Sequence, residues 1–80
     1  MTEEEAEIMS KHFVYLQEKL REGKLILAGP VTTGEFGLSV VETESEEEAV
    51  EIMNNDPAVL SGIMTPTIYP YRVSLLRGRD

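Results

Sequence analysis

The sequence predicts an α+β domain, and three observations carry that expectation. Two segments repeat their apolar residues at helical spacing, and each opens on a capping pattern. Between them lie two short apolar runs joined by a glycine-containing loop, the pattern of an antiparallel hairpin. A third run near the end, TIYPYRVSLL, is rich in β-branched and aromatic residues. At 80 residues the chain holds one domain, residues 1–80, and 41% hydrophobic residues allow it a core.

The first helix is expected from about residue 3 to residue 22. Thr2 and Glu5 have capping-box spacing. Met9, Phe13, Leu16 and Leu20 then form an apolar stripe with Ala6 and Ile8 beside it. Gly23 suits the position after the helix, and Lys19, Arg21 and Lys24 suit the negative end of its dipole. KLILAGP reads as a strand ended by Gly29-Pro30, VTTGE as a turn, and FGLSVVET as the returning strand. Ser45 and Glu48 form a second capping box, opening a short helix with Ala49, Ile52 and Met53 on its apolar face. In DPAVLSG, Asp56 is a good N-cap, Pro57 fits the first helical position and Gly62 ends one further turn. The order is α-β-β-α-(short α)-β. Pro70 places the last strand at an edge or a bulge. Two helices cover one face of such a sheet, so its other face calls for a partner chain.

Fifteen acids against seven bases give a formal charge of −8, with acids concentrated in Glu3–Glu7 and Glu42–Glu51. Such a surface repels nucleic-acid phosphates and anionic membranes, so neither is an expected partner; Arg72, Arg77 and Arg79 are too few to reverse this. No apolar run is long enough to span a bilayer and no secretory pattern opens the chain, so a soluble cytoplasmic protein is the expectation. With no cysteine and one histidine, neither a disulfide framework nor a tight transition-metal site is expected. The acids of Glu46–Glu51 lack calcium-loop spacing and read as a solvated helix face. Tyr69 and Tyr71 fall on one face of the last strand, as core or interface residues.

His12, Gly29-Pro30, Asp56-Pro57 and Gly62, in this order and spacing, resemble the YCII-related proteins, and the resemblance covers essentially the whole chain. It implies a ferredoxin-like fold that pairs into a dimeric α/β barrel, hence a homodimer or higher homo-oligomer whose sheets cover each other. One departure stands out: the family begins with a central β-strand, lying between the hairpin's second strand and the last strand, and here Met1 falls at the helix start. Two explanations are open. The chain begins late, at an internal Met, or the sheet closes otherwise, with the unit from Phe36 to Leu76 placing its two strands side by side and parallel.

The resemblance implies a His–Asp pair at His12 and Asp56, with Gly29, Pro30 and Pro57 bordering the substrate. Histidine takes and gives protons near neutrality, and a carboxylate on its other nitrogen fixes the tautomer. His12 lies at the edge of the apolar stripe, beside Ile8 and Tyr15. A small cofactor-independent enzyme working by acid–base chemistry on a small organic acid or ring is therefore one expectation. The other is a non-catalytic dimeric module, binding a small ligand or serving a structural role. In that case Asp56-Pro57 is an ordinary helix start and His12 a hydrogen-bonded flank residue.

Overall fold

The computed structural model describes residues 2–78. Helix α1 (Glu3–Arg21) is capped as its sequence prescribes. The Thr2 hydroxyl accepts from the Glu5 amide at 3.1 Å, and the Glu5 carboxylate accepts from the Thr2 amide at 2.9 Å. Its far end closes on Gly23, at φ +81°, as the Lys24 amide reaches back to the Lys19 carbonyl at 2.9 Å. That bond spans five residues and needs a left-handed residue, for which glycine costs least. The chain reverses there and enters β1 (Leu25–Pro30), which packs against α1.

Strand β1 pairs antiparallel with β2 (Gly37–Val41), with Ala28 opposite Ser39 and Pro30 opposite Gly37. The register shifts between Leu25 and Leu27, leaving Ile26 as the extra residue of a bulge. The loop is closed by the Val31 amide on the Phe36 carbonyl at 2.9 Å, with Gly34 at φ +82°.

Helix α2 (Glu46–Asn54) starts at Ser45, whose hydroxyl accepts from the Glu48 amide at 3.1 Å. The expected capping box is only half made. The Glu48 carboxylate turns instead to Lys24, 3.0 Å from its Nζ, which ties α2 to the start of β1. An ammonium is a better partner for a carboxylate than a single amide. Helix α3 (Pro57–Leu60) follows after Asn55 and Asp56, and α1 packs on it directly. Among the described residues, Leu25, Ile52, Ala58 and Asp56 are the buried ones, so the core sits where α1, β1, α2 and α3 meet.

The class is α+β, as expected, and two elements of the expectation differ in detail. The inner face of α1 runs through Ile8, Met9, His12, Tyr15, Leu16 and Lys19, while Ala6, Phe13 and Leu20 face outward. The expected stripe is thus rotated, and His12 lies in the middle of the packed face rather than at its edge. Polar partners on the facing elements explain this: Asp56 and the Ile52 carbonyl draw His12 and Tyr15 inward. In addition, the run TIYPYRVSLL adds no third strand to the two-stranded sheet. A strand persists only when its backbone groups pair with a neighbour, and Pro70 offers no donor. The central first strand that the resemblance implies, the natural neighbour, has no counterpart among the described residues. No helix of the described residues is long and apolar enough to cross a membrane.

Candidate functional site

The turn between α2 and α3 is very short, and this presents Asp56 to α1. The α2 ladder ends with the Asn55 amide on the Glu51 carbonyl at 3.1 Å, and one residue later Asp56 is extended, at φ −63° and ψ 129°. Pro57 then occupies the first helical position, where its missing N–H costs nothing. The Asp56 Oδ1 accepts from the Ala58 amide at 2.9 Å, and its carbonyl accepts from the Val59 and Leu60 amides, each at 2.9 Å. Ala58, 0% exposed, leaves room for no larger side chain at this point, so α3 seats closely and Asp56 is only 2% exposed.

His12 reaches this carboxylate from α1. Its Nδ1 lies 2.7 Å from Oδ1 and 2.7 Å from Oδ2, bisecting the two oxygens. An ionised carboxylate only accepts, so Nδ1 carries the proton and donates. The residues are 44 apart in the chain, and the contact fixes α1 against α3. Asp56 is therefore both helix cap and imidazole partner. The two roles are not divided between its oxygens, because Oδ1 serves both.

The second ring nitrogen of His12 is the chemically open position. No hydrogen bond to Nε2 is made by any described residue, and none of their buried side-chain polar atoms lacks a partner. Nε2 is consequently in contact with solvent, on a side chain only 17% exposed. In neutral His12, with Nδ1–H fixed on Asp56, Nε2 holds the lone pair that accepts a proton.

Tyr15, one turn beyond His12 on the same face, completes the seam. Its hydroxyl donates to the Ile52 carbonyl at 2.7 Å, and the Lys19 ammonium stands 5.3 Å from its ring centre. Burial raises the Tyr15 pKa above its ordinary value of 10.0; Lys19 opposes the shift, and the charges of Asp56 and Glu22 add to it. The spacing of three residues from His12 was the sequence signal for this shared face; the bond to Ile52 had none.

The remaining expected residues divide. Pro57 adjoins the pair as the residue after Asp56 and is half-buried. Gly29 and Pro30 end β1 and are exposed, with no hydrogen bond to the pair. Two surface concavities are bordered by neither His12 nor Asp56: one of about 530 Å³ along Glu46, Val50 and Asn54, and one of about 280 Å³ bordered by Tyr15, Lys24 and Glu48. Among the described residues no three His, Cys, Asp or Glu side chains gather as metal ligands.

This arrangement sits in a chain with recognisable relatives. It is 34% identical over 67 residues to the uncharacterised protein YjpA of Bacillus subtilis (strain 168), covering 84% of this chain and 79% of that protein. No solved structure matches it. Residues 1–71, which include both His12 and Asp56, match the YCII-related domain, and the chain belongs to the YCII-related family.

Proposed function

We propose that His12 and Asp56 form the acid–base centre of a small cofactor-independent enzyme acting on a small organic acid or ring. One observation carries this reading: a nearly fully buried carboxylate holds Nδ1 of a histidine whose Nε2 remains open. Such a carboxylate orients the imidazole and stabilises its protonated form, leaving Nε2 to remove a proton from substrate and return it. Elimination or isomerisation beside an acidic C–H is the matching reaction class. Pro57 adjoins the pair as the residue after Asp56, and Gly29 and Pro30 join the substrate's border in this reading on the family resemblance alone.

The exposed apolar side chains of Phe13, Leu20, Leu27 and Leu38 support pairing with a second copy in the cytoplasm, and that copy closes the site from outside. A second reading, a non-catalytic dimeric ligand-binding module, is favoured by the position of the concavities, neither of which is bordered by His12.

Proton exchange separates the two. Small 2-oxo acids and chlorinated hydroxy-aromatic acids are incubated with the protein in heavy water, and deuterium uptake is followed by NMR. The enzyme reading expects catalysed uptake in at least one compound, falling by about 100-fold in His12→Gln, the scale of a lost general base. Ligand-induced shifts without uptake, or uptake unaltered by His12→Gln, reject it.

A further inference from the structure

The last carbonyls of α2 set the turn that carries Asp56. A helix leaves the carbonyls of its final turn without partners inside it. Here the Asn55 amide takes the Glu51 carbonyl at 3.1 Å, and the Asp56 amide takes the Met53 carbonyl at 3.3 Å. Between these two stands the Ile52 carbonyl, which would accept the Asp56 amide if the α-helical ladder ran on. Asn55, at φ −93° and ψ −2°, has already left helical geometry, and the Asp56 amide passes to Met53 in a tighter bond of three residues. Among the described residues, it is the Tyr15 hydroxyl that the Ile52 carbonyl receives, at 2.7 Å. We propose that Tyr15 is a positioning residue of the His12–Asp56 pair: it fixes the α2–α3 turn through the Ile52 carbonyl, and with it the direction in which His12 Nε2 faces. This role goes beyond the acid–base reading above and rests on it for its effect on rate.

Ile52 is buried, and a buried carbonyl without a partner is costly. With the hydroxyl gone, the Asp56 amide is the donor that helical geometry offers in its place. Its transfer from Met53 to Ile52 rewinds Asn55 and rotates Asp56. The Asp56 Oδ1 serves both the Ala58 amide and the imidazole, so a rotation that keeps one bond weakens the other. Position on α1 adds a second constraint. Tyr15 follows His12 by three residues and Ile52 precedes Asp56 by four, so two bonds tie α1 to the α2–α3 corner one turn apart. One bond is a pivot about which the imidazole swings; two fix its direction. The ring keeps Nδ1 at 2.7 Å from both carboxylate oxygens, a placement that a swinging ring loses. Tyr15 itself touches no reacting atom, because a carbonyl engages its hydroxyl.

The test compares the full-length native chain with Tyr15→Phe and with a control that loses at least as much stability. Leu25→Val shortens a buried side chain on β1 and leaves the Tyr15 bond in place; Leu25→Ala replaces it if its urea midpoint falls less than that of Tyr15→Phe. His12 is the sole histidine, so its ring resonances are unambiguous. Exchange of the Nδ1 proton with water, read by NMR in the cold, is expected to be about five-fold faster in Tyr15→Phe and close to native in the Leu25 variant. In the deuterium-uptake assay, kcat of Tyr15→Phe is expected to fall about ten-fold with KM little changed, since the ring is misdirected and no group touching substrate is removed. An unchanged exchange rate in Tyr15→Phe, or an equal rise in the Leu25 variant, overturns the assignment. So does a native kcat in a Tyr15→Phe chain whose Nδ1 proton exchanges faster. A native chain that takes up no deuterium defeats the acid–base reading, and the exchange rates then decide the positioning role by themselves.

Discussion

The seam between α1 and α3 and the run after α3 are built on opposite terms. In the seam a carboxylate, an imidazole and a phenol are packed among helices, and each has a hydrogen-bond partner. The later run is rich in large apolar side chains, yet Tyr69, Tyr71, Val73, Leu75 and Leu76 are all exposed. Apolar content alone therefore does not decide what is buried. A segment is buried when its backbone and polar groups can be paired at the same time, and α3 meets that condition through Asp56. The terminal run lacks a neighbouring strand and does not. In this chain the polar pair organises the core, and the apolar side chains of the later run stay at the surface.

The largest expected effect lies in the seam. Asp56→Ala removes the cap of α3 and strands the Ala58 amide and His12 Nδ1 without a partner. The expected loss is about 2–4 kcal/mol, read as the free energy of urea unfolding. Asp56→Asn keeps an oxygen for the cap and should cost less than half of that. Equal losses would show that the imidazole contact, and not the cap, holds the seam together.

Tyr15→Phe is next, at about 1 kcal/mol, for a hydrogen bond lost from a partly buried carbonyl. It also sharpens the pH dependence. The Tyr15 pKa is raised in the fold, so the neutral phenol is favoured there. Its contribution is complete below the ordinary value of 10.0 and falls as pH rises through the higher folded value. Thermal unfolding of the native chain should therefore weaken more steeply above about pH 10 than that of Tyr15→Phe. Parallel curves would place the alkaline loss elsewhere.

The smallest effect is expected at Leu75→Ser, which removes an apolar side chain that is 94% exposed. Unfolding at dilution, where copies are apart, should change by no more than about 0.5 kcal/mol. A larger loss at dilution would mean that the run already supports its own chain, and the contrast between the two regions would collapse.

Much of the architecture was legible because it is locally encoded. Thr2 with Glu5, Ser45 ahead of α2, Asp56-Pro57 ahead of α3, and Gly23 and Gly62 at helix ends all act within a few residues, so their spacing announces them. His12 and Asp56 were legible as candidates through residue type and family resemblance. Their contact was not, because nothing within 44 residues of chain encodes a distance of 2.7 Å. Nor was the inner face of α1, since Phe13 and Leu20 fit a helical stripe as well as Met9 and Leu16 do.

The sequence by itself determined where the helices and the hairpin begin and end, and the acidity of the chain. These follow from capping, turn chemistry and composition, which require no neighbour. Tertiary structure alone decided that His12 faces Asp56, that Glu48 leaves its capping box for Lys24, and that the last apolar run adds no strand to the sheet of the described residues. The reason is common to all three. Each is settled by competition between partners distant in sequence, and only the folded chain brings those partners within bonding distance.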